Sequence, residues 1–338
     1  MKVLVIRFSS IGDIVLTTPV IRCLHRQLGA EVHFLTKASF AGILRPNPYV
    51  HRLWTIQKDI AEVATDLIAQ GFDHVIDLHR NLRTLELRTR IALNSTWHLR
   101  PRPQWDAFNK LNAEKYLLVN FGIDRLPDVH IVDRYIAAVP GLENDGEGLD
   151  YFIAEKDTVD LNAAGIPARY LALVIGAAHR TKRLDENQLS AFCTAFPHPV
   201  VLLGGPAEKD TGDRIAGNKT HVINACGRFS LGGSADLIRQ ATAVVTHDTG
   251  MMHVAAAFRK PILSVWGNTV PAFGMYPYLP GNEAVEKERR QEVRGLACRP
   301  CSKIGHQQCP KGHFRCIREQ DPREIAQRAA RLITASGS

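Results

Sequence analysis

Short branched apolar runs alternate with longer stretches of helical spacing along most of the chain. Lys2–Phe8 (KVLVIRF) is apolar at nearly every position, as expected of a strand buried on both faces of a parallel sheet. A polar turn, Ser9-Ser10-Ile11-Gly12-Asp13, leads into helical spacing from Ile14 to Gln27, where Pro19 interrupts and Thr18-Pro19 restarts the helix. Glu31–Thr36, Arg52–Ile56, Asp73–Leu78 and a weaker Trp97–Leu99 read as further strands. Asp59–Gln70, Leu82–Leu93, Asp106–Asn120 and His130–Val139 read as helices. Gly141–Asp150 (GLENDGEGLD) then loses all periodicity and reads as a linker or surface loop at a domain boundary.

The alternation begins again with strands at Tyr170–Ile175, Pro199–Leu203, His221–Ile223, Ala243–Thr246 and Pro261–Trp266. Helices fit Asp185–Phe196, Ala207–Ala216, Ser234–Gln240, Thr249–Phe258 and Pro322–Thr334. Two successive βα series predict an α/β protein of two doubly wound, Rossmann-like domains facing a cleft. The expected bounds are 1–160 and 161–338, with the last helix packed on its own domain or back on the N-terminal one.

Composition narrows the class. At 338 residues the chain suits two domains, and 45% hydrophobic with 22% charged residues is ordinary globular usage. Disordered, collagen-like and disulfide-scaffold classes are excluded. No apolar run reaches the length of a membrane span, and the N-terminus turns polar too soon for a signal peptide, so a cytoplasmic protein is expected. Lys+Arg 42 against Asp+Glu 34 gives +8, which favours anionic partners such as nucleotide phosphates or an acidic membrane surface. Basic and aromatic residues are not interleaved as in nucleic-acid modules, so no nucleic-acid partner is expected.

Chemistry is expected in loops that leave strands for helices. Asp13 opens a helix, either as its cap or as a general base. Asp248 and Thr249 stand at another helix start, followed by Gly250, Met251 and His253. That turn is either an ordinary capped helix with a packed histidine or an anion site built on free backbone N–H groups. Glu208 follows Gly204-Gly205, suited to ribose hydroxyls or to the helix dipole. Lys182 lies in a basic loop that either neutralises a diphosphate or is solvated. Of the arginines Arg80, Arg83, Arg88, Arg90, Arg100 and Arg102, the first two are best placed for an acidic acceptor. Cys298, Cys301, Cys309 and Cys316 have partly zinc-like spacing but lack a second tight pair, so reduced thiols are favoured and no metal or cofactor is expected.

These loops together resemble glycosyltransferase family 9, the ADP-heptose:lipopolysaccharide heptosyltransferases. Arg7–Pro19 (RFSSIGDIVLTTP) is close to the family's opening motif, Asp248–Ala257 (DTGMMHVAAA) to its D-T-G-x-x-H-x-A-A, and Gly204–Glu208 (GGPAE) to its G-G-x-x-E. Cys298-Arg299-Pro300-Cys301 also has counterparts in many members. The resemblance implies a GT-B fold and inverting transfer of heptose from ADP-heptose to inner-core lipopolysaccharide, without a metal. It implies Asp13 as base, Lys182 on the diphosphate, Glu208 on the ribose and Phe229 at the adenine. Asp248, Thr249, Gly250, Met251 and His253 would form the diphosphate-sugar site. The acceptor would be an acidic glycolipid, reached by peripheral contact with the anionic cytoplasmic face of the inner membrane. Ala177-Ala178 replace hydroxyl residues found in some members, which bears on the donor more than on the reaction class. A GT-B epimerase or hydrolase is the competing expectation.

Overall fold

A computed structural model describes residues 1–99 and 101–335, so Arg100 lies outside the described residues. The chain divides into two compact units, Met1–Lys110 with Val129–Phe152, and Leu111–Asp128 with the chain from Ile153 onward.

The first unit is built on a parallel sheet of β1 (Lys2–Ile6), β2 (Glu31–Lys37), β3 (Arg52–Ile56), β4 (His74–Asp77) and β5 (Gln104–Ala107), in the order β3-β2-β1-β4-β5. Val5 pairs with Phe34 on one side and Ile76 on the other. Strands covered on both faces cannot alternate polar with apolar, which is why β1 reads as an unbroken apolar run. Leu4, Ile6, Phe8, Leu35, Trp54 and Val75 form the core beneath one face. The order reverses between β1 and β4, so the loops after those strands diverge and leave a crevice.

The second unit repeats the plan with β6 (Leu171–Val174), β7 (Val200–Leu203), β8 (Val222–Asn224), β9 (Ala243–His247), β10 (Ile262–Trp266) and β11 (Arg290–Glu292), in the order β11-β10-β9-β6-β7-β8. Its reversal lies between β6 and β9, which pair in parallel. The C-terminal helix Pro322–Ala335 contacts the helix Glu186–Ala195 and strands β9 and β10. Ile325, Ala329 and Leu332 enter this unit's core.

Gly141–Asp150 is a surface loop close to the division between units, which falls after Phe152, and Arg22, 1% exposed, anchors it through Asp145 at 2.7 Å and Asp150 at 2.5 Å. Three local expectations are corrected. Trp97–Leu99 is no strand, because the helix from Leu82 runs on to Trp97 and its apolar end is exposed. Asp106 belongs to β5, and the helix expected from there covers only Asn112–Phe121. The restarted helix is Thr18–Leu28, with Thr17 at its cap position.

Candidate active site

At the reversal of the first sheet, the chain places a charged cluster on the loops after β1 and β4. Asp13 stands in the third position of the short helix Ile11–Val15. Its Oδ2 accepts from the Ser10 backbone N–H at 3.0 Å and from the Ser10 hydroxyl at 2.9 Å. Its other oxygen is ion-paired with Arg7. Arg7 is nearly buried and also donates to the carbonyls of Ser9 and Leu78 and to the Tyr135 hydroxyl. One arginine therefore ties the two loops together and presents Asp13 between them. Burial raises the Tyr135 hydroxyl to about 12.

Sequence reasoning missed Arg7, Tyr135, His79 and Lys110 as members of this cluster. His79 packs its ring edge-on against Phe8 with centroids 5.1 Å apart. Burial, followed by the charges of Arg7 and Lys110, pushes its imidazole down to about 4, so it is neutral at physiological pH. Its buried Nδ1 has no hydrogen-bond partner among the described residues. Lys110 donates to the Arg80 carbonyl at 2.8 Å, and burial first, then Arg7, lowers its ammonium. The usable signal was an ionisable pair, His79-Arg80, directly after an apolar strand. Arg80 belongs to the cluster, with its backbone N–H on Asp77 at 2.7 Å and its guanidinium on the Phe108 carbonyl at 3.0 Å. Arg83 reaches instead to the Lys58 carbonyl at 3.0 Å.

The second unit gathers its ionisable groups at the corresponding reversal. Lys182, in a short turn after β6, pairs with Asp248 after β9 at 2.7 Å, and both are largely buried. Thr269, after β10, donates to the same carboxylate at 2.7 Å. Asp248 therefore caps no helix, and the basic loop is not simply solvated. Thr249 occupies the cap position of the helix Gly250–Ala257 without a side-chain cap bond. The N–H groups of Gly250 and Met251 head that helix, where a helix dipole and unpaired donors suit an anion. Met251 is half-buried and His253 is buried inside the same helix. His247, at the end of β9, accepts from the Leu184 N–H at 3.0 Å. Burial holds its imidazole down at about 4.

Glu208 lies one strand further along. Its carboxylate accepts from the Gly205 N–H at 2.9 Å and pairs with Arg183 at 3.3 Å. Gly204 must be glycine for this: a Cβ there would lie 2.8 Å from the Glu208 Cβ. A cavity of about 240 Å³ borders Glu208, Arg183 and Arg180, but not Lys182 or Asp248. The Gly227 N–H donates to the Gly204 carbonyl at 3.1 Å, which joins the loop carrying Phe229 to the Glu208 loop. Phe229 is half-buried, with the Arg228 guanidinium 5.4 Å from its ring centre.

Two sets of side chains carry possible metal donors. Cys298, Cys301 and Cys309 are half-buried, Cys316 is buried, and none forms a disulfide. Burial pushes the Cys316 thiol up to about 11, and the Cys298 sulfur lies 3.8 Å from His313 Nε2. The donor atoms of Glu31, His33 and His51 lie close together. However, the Trp54 indole donates to His33 Nδ1 at 2.9 Å, which assigns the ring proton to Nε2, and Nε2 faces Glu31 at 2.8 Å. The lone pair a metal would need there is taken up.

Two doubly wound α/β units, each with charged loops at its sheet reversal, are the architecture of the GT-B fold. Residues 60–303 match the model of glycosyltransferase family 9 (heptosyltransferase), and the chain belongs to that family. It is a glycosyl-transferring enzyme. It is 27% identical over 169 residues to lipooligosaccharide heptosyltransferase 2 of Haemophilus influenzae, a match spanning 48% of each chain. With lipopolysaccharide heptosyltransferase 1 of Pseudomonas aeruginosa it shares 25% identity over 301 residues, 81% of this chain and 80% of that one. The structure of E. coli ADP-heptose lps heptosyltransferase II superposes with a TM-score of 0.71 over the whole of both chains at 20% identity. Among the described residues no helix is long and apolar enough to cross a membrane.

Proposed function

We propose that the chain is an inverting heptosyltransferase. It moves heptose from ADP-heptose to the inner core of a lipopolysaccharide-type glycolipid, at the cytoplasmic face of the inner membrane. The observation that carries this reading is the Lys182–Asp248 pair beside the open helix start at Gly250. A leaving diphosphate gains negative charge, and a lysine with backbone N–H groups stabilises that charge as it develops. Asp248 is itself an anion, so its part is to hold Lys182 in position rather than to bind phosphate. Glu208 suits the ribose hydroxyls, and Phe229 offers an aromatic face to the adenine.

Asp13 is the base in this reading. The Ser10 hydroxyl already donates to its carboxylate at 2.9 Å, which is the geometry an acceptor hydroxyl would adopt. The acceptor oxygen attacks the anomeric carbon opposite the phosphate and gives its proton to Asp13. The bond from that carbon to the phosphate oxygen breaks, and ADP leaves with the electron pair, so the configuration inverts. Arg80, and Arg83 at its edge, suit the acidic groups of the acceptor. No metal takes part, so activity should survive chelation.

Calorimetric titration tests the donor half. ADP should bind more tightly than UDP or GDP, and Lys182→Ala should weaken ADP about 10-fold or more, the value of a charge-assisted hydrogen bond. Equal affinity for all three nucleotides, untouched by the substitution, would remove this site from the donor role.

A further inference from the structure

The helix Leu82–Trp97 has two apolar faces, although a helix on the surface of a doubly wound sheet needs one. Leu87 and Ile91 point inward and are buried, which accounts for its place in the first unit. Leu82, Leu85, Leu93 and Trp97 follow one another at helical spacing on the opposite side, exposed by 83%, 58%, 67% and 86%. Four large apolar side chains on one solvent-facing stripe are not the scattered exposure of an ordinary surface.

The flanks of this stripe are basic. Residues 87–105 contain no Asp or Glu. Arg88 lies with its guanidinium 5.7 Å from the Trp105 ring centre, and Arg102 donates to the Thr96 hydroxyl at 2.7 Å. Neither has a carboxylate partner among the described residues. Arg90 differs, since it is paired with Glu86 at 2.8 Å. A second copy of the chain on this face would set like charges against each other across a two-fold axis. A bilayer rich in anionic phospholipid satisfies both features, taking up the leucines and the tryptophan at the headgroup level and attracting the arginines.

We infer that this face of Leu82–Trp97 docks the enzyme on an anionic phospholipid surface. The helix's cap residue Asn81 directly follows His79 and Arg80, so the docked face begins at the edge of the Asp13 cluster and runs away from it for about 22 Å. A lipid-linked acceptor in the same bilayer would then carry its sugars to that cluster. The inference deepens the proposed function by naming the surface that reaches the glycolipid.

Vesicle binding is measured without donor or acceptor, so it stands or falls apart from the transfer reaction. The full chain is sedimented with vesicles of phosphatidylcholine alone or mixed with phosphatidylglycerol. The parent should bind the anionic vesicles, more weakly in high salt, and its emission should shift to the blue, a shift that Trp97→Phe removes. The exposed triple variant Leu85→Gln, Leu93→Gln, Trp97→Gln should lose binding by about 10-fold or more while keeping its melting temperature. Arg88→Gln with Arg102→Gln should weaken binding about 25-fold, at about fivefold per arginine. Absence of binding by the parent, or binding unchanged in both variants, would overturn the inference. So would a parent dimer that the triple variant splits, by light scattering, with no vesicle binding in either.

Discussion

Asp13 carries a cap contact to Ser10 and an ion pair to Arg7 in one carboxylate, so the cap and base readings of the sequence are not exclusive. Asp13→Asn keeps an acceptor for Ser10 but loses the proton-accepting role. We expect kcat to fall by about 10²–10⁴ with donor KM nearly unchanged. The lost charge opposite Arg7 should cost about 1–3 kcal/mol of stability, so melting is followed in parallel. Turnover within about threefold of the parent would reduce Asp13 to a cap. His247 gives a pH test. Its imidazole stays neutral in the folded chain down to about 4, whereas in the unfolded chain it protonates near 6.5. The unfolded state therefore binds more protons in that window, and stability falls as pH drops from about 6.5 towards 4, by about 3.5 kcal/mol at most from this group. A His247→Gln variant with an equally steep loss would exclude that contribution. Asp13, Lys182, Glu208 and Asp248 could be singled out as candidates in the sequence because each follows an apolar strand. Arg7 and Tyr135 were not, because one ends a strand and the other lies in a distant helix, and only folding brings their side chains together.

At the scale of elements, buried strands announce themselves, and edge strands do so only where they carry an apolar run, as β3 and β8 do. β1, β6, β7, β9 and β10 are apolar runs and were legible to within a residue or two. β5 (QWDA) and β11 (RQE) lie at sheet edges, where one flank is unpaired and no apolar run is required. Lost periodicity made Gly141–Asp150 legible as a loop, but not its anchoring: Asp145 and Asp150 are the counter-ions of a buried arginine from the helix Thr18–Leu28. Hydrogen bonds to Arg22 hold the Asp145 carboxyl down at about 2. Arg22→Ala leaves two carboxylates facing each other without a cation. We expect it to destabilise the first unit by about 3–5 kcal/mol, read as a lower melting temperature. A change below about 1 kcal/mol would show that the segment is held by other contacts.

For the whole molecule, the repeated βα alternation made the two-unit α/β plan legible, and the spaced motifs made the family legible. The exact division was not, because Leu111–Asp128 belongs with the second unit although it lies within the first in sequence. The proposed reaction is transfer of heptose from ADP-heptose to a lipid-linked acceptor. The direct measurement incubates the purified chain with ADP-heptose and a heptose-free inner-core glycolipid, then follows ADP release and the mass and anomeric configuration of the lipid product. One heptosyl residue should be added per ADP released, with inverted configuration, and no donor should be consumed when the acceptor is omitted. Donor turnover without acceptor, or an unmodified lipid after ADP release, would contradict it and favour a hydrolase or epimerase instead.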